Sequence, residues 1–286
     1  MKPAVPPFLG APPPSPARAR RLVQLKPDLD ALYDRFNDPA LAEIDPIRYV
    51  RPLDDVADRE VAGLVAALLA YGGLKVILAS VATALRPLGP HPAAWLAAQP
   101  SRRAIATALP GFRHRWTRTA HLADLLWAVR EVRRRHGSLD AAFAAARSGR
   151  TTLCEAAAAF AAELVRISPE LADGRFLPDP ARGSACKRLL LYFRWMVRRD
   201  RIDRGGWTSL APSELVLPLD VHTFRAARRL RLTSRRSPDF AAAAEATASL
   251  AVLCPGDPVR YDFALAHAGH DLSIDEPAWL APPSPP

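Results

Sequence analysis

Apolar residues are concentrated in Ala- and Leu-rich segments of helical pattern, which short loops separate along most of the chain. The alternation of apolar and polar residues that is typical of half-buried strands is almost absent. We therefore expect helices over approximately 27–37, 58–70, 74–86, 91–98, 117–135, 139–146, 152–166, 184–199, 220–230, 238–252 and 258–268. The pattern predicts an all-α protein.

Residues that can cap helices precede several of these segments. Asp58, Ser138 and Asp239 each stand where a side-chain oxygen could accept the free backbone N–H groups of a first turn. Residues 1–24 are rich in Pro, Ala and Arg, and residues 276–286 are rich in Pro. We expect both ends to lack a packed fold.

The apolar runs are too short to cross a membrane. Residues 61–73, VAGLVAALLAYGG, form one of the longest runs, whereas a membrane-spanning helix needs about 20 apolar residues. Prolines between Pro3 and Pro14 interrupt the N-terminal apolar stretch, which lacks the pattern of a secretory signal. We expect a cytoplasmic protein without a membrane partner, associated with the nucleoid if it binds DNA.

Cysteine is scarce and scattered. Cys154, Cys186 and Cys254 are too far apart for paired zinc spacing and too few for a disulfide framework or an iron–sulfur cluster. We therefore expect no metal and no organic cofactor.

Positive charge is concentrated in one region. The formal net charge is +10, and the segment 182–236 holds fourteen Lys and Arg against four Asp and Glu, which is the whole excess. A basic surface attracts polyanions such as nucleic acid. The alternative is an arginine-rich composition whose side chains lie on solvated faces.

The first candidate group is a lysine at the start of a helix. Prolines prevent a regular helix before Gly183 and Ser184, which supply a turn and an N-cap, so the helix is expected to begin near Ala185. Lys187 then lies in the first turn, where the helix macrodipole favours the neutral amine. A neutral lysine is a potential nucleophile, although a solvated lysine without a role is the simpler interpretation.

This helix has two distinct faces. At about 100° per residue, Arg194 and Arg198 each lie within roughly 20° of Lys187, on one face of the helix. A buried stripe is expected on the other face, at Ala185, Leu189, Phe193 and Met196.

The second candidate group is Asp220, within LPLDVHTFRAARRL at residues 217–230. An aspartate at a helix start caps free N–H groups, which contributes about 1 kcal/mol and requires no catalytic purpose. Beside the arginines of the following helix, the same carboxylate could also be brought to a nucleic-acid backbone. This segment alone leaves both interpretations open.

Together the two segments resemble the helix-hairpin-helix DNA glycosylases, the superfamily of endonuclease III and the 8-oxoguanine glycosylases. That superfamily has a hairpin of pattern Gly-x-Gly-x-Lys before one helix, and Val-Asp-x-His-x-x-Arg at the start of a later helix. The segment 183–187 matches the first pattern, with Ala185 in place of the second glycine. The segment 218–222, followed by Arg225, matches the second pattern closely.

The resemblance implies roles for these residues. Lys187 would be the amine that attacks C1′ of the target nucleotide, and Asp220 would be the acid that supports departure of the base. The hairpin carbonyls could also hold a monovalent cation, which Ala185 would accommodate less freely than glycine does. The other expected nucleic-acid contacts are Gly183, Ser184, Arg188, Arg194, Arg198, Trp207, His222 and Arg225.

The chain also differs from the superfamily pattern. The lysine and the aspartate are 33 residues apart, longer than in most of the superfamily, and residues 200–214 would be the insertion. The four-cysteine iron–sulfur motif of endonuclease III is missing. About residues 30–270 are also similar to a bacterial family of uncharacterised proteins, through blocks such as GSACKRLLLYFRWMVR (183–198) and DPVRYDFAL (257–265).

Enzymes that flip a base out of a duplex also need an aromatic side chain to stack on it. The loop GFRHRWTR at residues 111–118 interleaves aromatic residues with arginines, as expected of a loop that contacts a nucleic-acid backbone. The stacking candidates are Tyr71, Trp116, Tyr192, Trp195 and Trp207. Packing in the core is the simpler interpretation for each of them, and the exception is Trp207, which follows Gly206 in what we expect to be a flexible loop.

The expected fold is an all-α, two-lobed, helix-hairpin-helix glycosylase-like domain. Residues 25–116 and 238–275 would form one lobe, and residues 117–237 the other. The expected function is excision of a damaged base from double-stranded DNA through a Schiff base on Lys187. The alternatives are a non-catalytic DNA- or RNA-binding protein that retains the scaffold, and a protein that binds another protein. The sequence does not define the oligomeric state.

Overall fold

The computed structural model describes residues 7–268. Within this range the α-helices are α1 (Pro16–Phe36), α2 (Pro39–Ala42), α3 (Val56–Leu68), α4 (Leu74–Leu85), α5 (Pro92–Ala97), α6 (Arg102–Ala108), α7 (Thr119–His136), α8 (Leu139–Arg147), α9 (Leu153–Ile167), α10 (Lys187–Val197), α11 (Val221–Arg229), α12 (Phe240–Ala251) and α13 (Asp262–Ala268). A short antiparallel hairpin, β1 (Arg113–His114) and β2 (Thr117–Arg118), lies between α6 and α7. The predicted all-α class is confirmed. No helix in residues 7–268 has the length and apolar character to span a membrane.

Helix α3 is the central helix of the core. Every residue from Asp58 to Leu68 is buried, and α3 packs along α10. Gly63 lies at this contact, where an added Cβ atom would lie 3.4 Å from the ring of Tyr192. The small residue therefore allows the two helices to approach closely, and α10, which begins at Lys187, is anchored in the core.

Side-chain caps fix where several helices begin. Ser138, Asp220 and Asp239 accept the expected backbone N–H groups at the starts of α8, α11 and α12. Helix α3 begins earlier than predicted, after Asp55, whose side chain accepts the N–H of the second helical residue. Asp58 instead lies buried in the first turn of α3 and accepts the backbone N–H of the second residue of α5 at 2.8 Å.

The N-terminal part of the chain is folded within the described range. Helix α1 begins at Pro16, and Phe8, Leu9 and Leu22 are buried in the core. The expectation that residues 1–24 lack a packed fold therefore differs from the structure for residues 7–24. Residues 1–6 and 276–286 lie outside the described range.

Candidate functional site

Lys187 and Asp220 are joined by a direct ion pair. The Lys187 Nζ atom donates to Asp220 Oδ2 at 2.9 Å, although the two residues are 33 positions apart in the chain. The side chains are 34 % and 20 % exposed, so solvent reaches both groups. Lys187 is the first residue of α10 and Asp220 immediately precedes α11, so the N-terminal ends of two helices meet at this pair.

A tight turn positions Lys187. Gly183 and Cys186 have φ values of 77° and 48°, both in the left-handed region, which costs roughly 1–2 kcal/mol for a residue with a Cβ atom. The Cys186 N–H donates to Ser184 Oγ at 3.3 Å, and α10 begins two residues later than predicted. Burial raises the pKa of the Cys186 thiol to about 12, so this thiol is protonated at neutral pH.

Asp220 is held by interactions with both of its oxygens. Oδ1 accepts the Thr223 N–H at 2.7 Å, while Oδ2 accepts from Lys187. Burial alone would raise the pKa of this carboxyl, but the positive charge of Lys187 and the Thr223 N–H outweigh burial and lower the pKa below 3.8. Asp220 is therefore ionised at neutral pH. Its carboxylate both caps α11 and pairs with the Lys187 amine.

A second carboxylate, Asp262, lies close enough for the charges of Lys187 and Asp220 to act on it. It is buried and accepts from Arg194 Nη1 at 2.6 Å. Burial raises the pKa of Asp262, against the effect of Arg194. No local sequence pattern connects Asp262 to Arg194, which is 68 residues earlier, so only the folded chain reveals this pair.

Arg194 and Arg198 do not lie on the surface, contrary to the expectation that they hold phosphates. Each is 2 % exposed, and their guanidinium groups share the fully buried carboxylate of Asp203. Arg198 also pairs with Asp200 and Asp257, at 2.9 Å each. Because carboxylates already neutralise both groups inside the protein, neither is available to bind a phosphate.

Trp207 is also buried, contrary to the expectation of a nucleic-acid contact in a flexible loop. Its side-chain N–H donates to Glu60 Oε1 at 3.0 Å, and the residue is 4 % exposed. Its ring packs in a cluster with Phe143, Phe160, Tyr192 and Phe193. Trp195 is buried as well. These aromatic residues therefore belong to the core.

Arg188 connects α10 to the end of α3 and to the residues just after it. Its guanidinium donates to the Leu68 carbonyl at 2.9 Å and to the Arg175 carbonyl at 2.6 Å. The same group lies over the ring of Tyr71, 5.0 Å from its centroid. Burial lowers the pKa of Arg188. This arginine, expected to contact nucleic acid, is largely occupied by contacts within the protein.

An exposed aromatic platform lies next to Arg188. Trp116, at the tip of the β1–β2 hairpin, stacks on Tyr71 with ring centroids 4.4 Å apart and planes 20° apart, and Trp116 is 45 % exposed. The Tyr71 hydroxyl donates to the His114 carbonyl at 3.0 Å and is hydrogen-bonded to Thr117 Oγ1 at 2.6 Å, and these two contacts fix the Tyr71 ring. We call Tyr71 and Trp116 the aromatic platform.

The hairpin that carries Trp116 also carries three exposed arginines. Arg113, Arg115 and Arg118 are exposed, and the Arg115 guanidinium lies 5.2 Å from the Trp116 ring centroid. Within residues 7–268 none of the three has a carboxylate at salt-bridge distance. The hairpin therefore combines the exposed Trp116 ring with positive charge, whereas Phe112 of the same segment is buried.

The other residues expected at the site lie within five positions of Lys187 or Asp220 in the sequence. Gly183 and Ser184 are exposed in the turn before α10, and the backbone of Ser184 pairs with that of Asp239. Arg225 is exposed on α11, and His222 is half-buried near the start of the same helix. Among the described residues, no group of three or more His, Cys, Asp or Glu side chains could hold a metal ion.

Lysine is rare in this basic chain, which makes the lysine at position 187 notable. Only four of the 39 basic residues are lysines, namely Lys2, Lys26, Lys75 and Lys187. An arginine would form the same ion pair but cannot lose its proton to act as a nucleophile in proteins. This contrast is a sequence signal for position 187 that does not depend on any motif.

Comparison with known proteins identifies one family. No curated protein and no solved structure matches the chain. A family model described as "Protein of unknown function (DUF2400)" matches residues 45–271, which include Lys187, Asp220 and the aromatic platform but not α1. Since this range covers most of the 286 residues, the chain belongs to the DUF2400 family of proteins of unknown function.

Proposed function

We propose that this protein is a DNA glycosylase with AP-lyase activity, which removes a damaged base through Lys187 and Asp220. The observation that carries the proposal is the 2.9 Å contact between Lys187 Nζ and the Asp220 carboxylate. An amine and a carboxylate that solvent reaches, brought together from separate helices, form the pair that such chemistry requires.

The chemistry assigns one role to each group. The lone pair of the neutral Lys187 amine forms a bond to C1′ of the target nucleotide as the bond from C1′ to the base nitrogen breaks. The departing base leaves with the bonding electrons and takes up a proton. The Asp220 carboxylate stabilises the positive charge that develops on the sugar, and before attack it is the closest acceptor for the ammonium proton.

Strand cleavage follows from the same intermediate. Opening of the sugar ring gives a protonated Schiff base between C1′ and Lys187, which makes the hydrogens on C2′ acidic. Loss of one of these protons expels the 3′-phosphate by β-elimination. Water then hydrolyses the Schiff base and restores the lysine amine.

The resting ion pair sets a condition for activity. In the resting pair the Lys187 Nζ atom donates a hydrogen bond to Asp220 Oδ2 and is directed at the carboxylate instead of at a substrate. A nucleotide that enters between the two groups would separate them and break this hydrogen bond. The proposal therefore requires the substrate to displace the direct hydrogen bond.

The proposal extends to the fold and to the partner. We infer a two-lobed glycosylase-like arrangement, with residues 25–116 and 238–275 in one lobe and residues 117–237 in the other. Double-stranded DNA is the proposed partner, because the exposed Arg113, Arg115, Arg118 and Arg225 supply positive charge without a carboxylate partner among residues 7–268.

Borohydride trapping tests the proposal. Borohydride reduces the Schiff base to a stable amine, so a covalent protein–DNA product forms on a duplex that contains an abasic site or 8-oxoguanine. We expect trapping by the wild type and by Lys75→Ala, a control at another lysine, and no trapping by Lys187→Ala. Undiminished trapping by Lys187→Ala would exclude the proposed role.

A second candidate is a non-catalytic nucleic-acid-binding protein. The aromatic platform favours it, because an exposed ring flanked by arginines binds unstacked bases without any need for Lys187. Binding that depends on Trp116, without base release or strand cleavage on any damaged duplex, would support this candidate over the enzyme.

A further inference from the structure

Arg231 occupies a backbone position that favours glycine. It directly follows the last turn of α11 with a φ of 55°, and its N–H donates to the Arg228 carbonyl at 3.0 Å. The next N–H, of Leu232, donates to the Ala227 carbonyl at 2.8 Å. This pair of bonds is the Schellman arrangement, in which the left-handed residue is usually glycine. An arginine here costs roughly 1 kcal/mol of stability relative to glycine.

Packing does not explain the arginine, because its side chain is exposed. The nearby buried residues Leu230 and Leu232 supply the apolar contacts at the end of α11. Strained residues that the local structure does not need are concentrated at functional sites. Arg115 and Cys186 are the other residues besides glycine with positive φ in the described range. Cys186 directly precedes Lys187, and Arg115 lies over the Trp116 ring of the aromatic platform.

A second guanidinium group from α1 lies near Arg231. Arg21 Nη1 donates to the Leu230 carbonyl at 3.5 Å. The pKa of Arg21 is lowered, first by burial and then by the positive charge of Arg231. Within residues 7–268, neither arginine has a carboxylate at salt-bridge distance. Two like charges thus approach each other without a counterion from the described part of the protein.

Neighbouring contacts hold this pair in place. Arg18 on α1 pairs with Glu245 of α12 at 2.7 Å. Glu245 also accepts from Thr233 Oγ1 at 2.8 Å and from the Ser234 N–H at 3.1 Å, so one carboxylate ties α1 to the loop that follows Arg231. The positive charges of Arg21 and Arg231 are therefore held near each other despite their mutual repulsion.

We propose that Arg21 and Arg231 together bind one phosphate group of the DNA backbone, away from the nucleotide that undergoes reaction. The inference rests on the proposed function. Arg231 is eleven residues beyond Asp220, which along a helix is ~16 Å at 1.5 Å per residue. That length corresponds to about five base-pair steps of 3.4 Å. Helix α1 precedes the matched range 45–271, so Arg21 adds a contact from outside the part that defines the family.

The variant Arg231→Gly separates this role from a structural one. Glycine relieves the left-handed strain, so we expect a higher melting temperature for the variant than for the wild type. If Arg231 binds phosphate, the same variant must bind DNA more weakly despite its greater stability. Arg231→Lys keeps the charge and serves as the matched control, with affinity close to that of the wild type.

The salt dependence of binding gives the quantitative test. The probe is a fluorescent duplex of about 20 base pairs with a central abasic site, followed by anisotropy at several salt concentrations. For the double variant Arg21→Gln/Arg231→Gly we expect the slope of log affinity against log salt to become shallower by about 0.9, the value for one lost phosphate contact. If the wild type binds DNA and the double variant shows the same slope, only the phosphate site is overturned. No binding by the wild type would overturn the proposed function, and the phosphate site with it.

Discussion

Lys187 Nζ and Asp220 Oδ2 lie 2.9 Å apart, at the meeting point of the N-terminal ends of α10 and α11. Each residue has a local role, since Lys187 begins one helix and Asp220 caps the other. The contact between them depends on tertiary structure, because α10 is anchored against α3 while α11 follows a long loop. This arrangement is the basis of the proposed chemistry and of the first two predictions.

Substitutions of Asp220 should separate capping from catalysis. Asn caps helices about as well as Asp, so Asp220→Asn should lose the ion pair but retain the cap, whereas Asp220→Ala loses both. We expect Asp220→Ala to be less stable than Asp220→Asn by about 1 kcal/mol in urea unfolding. Both variants should lose base-release activity. An active Asp220→Asn would show that the carboxylate is only a cap.

The ion pair should also give a defined pH dependence of stability. The pKa of Asp220 is lower in the folded protein than its ordinary value of 3.8, so its contribution is fully present above 3.8 and is lost as pH falls through the folded pKa. The difference in unfolding free energy between wild type and Asp220→Asn should be constant at pH 5–7 and decrease below about pH 4. Thermal unfolding of both proteins across this range measures the difference. A difference that changes between pH 6 and 7 instead would contradict this assignment.

Trp116 should contribute to binding but little to folding. Base stacking on an aromatic ring is worth about 1–3 kcal/mol, so Trp116→Ala should weaken binding to a single-stranded or abasic oligonucleotide by roughly 5- to 150-fold. Trp116→Phe, which keeps an aromatic ring, should retain most of the affinity. Anisotropy titrations at one fixed salt concentration compare the three proteins. Equal affinities would remove the aromatic platform from the interface.

Arg198 should be needed for stability rather than for phosphate binding. Arg198→Ala would leave Asp203 buried with one of its two arginine partners missing, and breaking a buried pair costs about 3–5 kcal/mol. Arg199→Ala, at the adjacent exposed position, should change stability by no more than about 0.5 kcal/mol. Urea unfolding compares them. An Arg198→Ala protein as stable as Arg199→Ala would contradict the buried network.

Local patterns predicted the helices and the two residues of the ion pair. The positions of most helices, the cap at Asp220 and the buried stripe through Leu189 and Phe193 all depend on neighbours a few residues away in sequence. The hairpin strands are only two residues long, too short for an alternating pattern to identify. The proline-rich composition of residues 1–24 also led to the expectation of no packed fold there, although α1 begins at Pro16 and buries Leu22.

The errors at Arg194, Arg198 and Trp207 have one physical cause. An arginine on a helix is expected to face water unless a carboxylate meets it inside the protein. The partners of Arg194 and Arg198 include Asp257 and Asp262, about 60 residues later, and only the folded chain brings them together. Trp207 is buried for a similar reason, because its partner Glu60 lies 147 residues earlier.

The most direct test of the central claim is to locate the trapped sugar on the protein. After borohydride reduction on an abasic duplex, digestion and mass spectrometry would identify the modified amine among the four lysines and the terminal amine. The proposed mechanism predicts a reduced adduct on the Lys187 side chain, which is lost in Lys187→Ala. An adduct on Lys26, Lys75 or another amine, or no adduct on any damaged duplex, would contradict it.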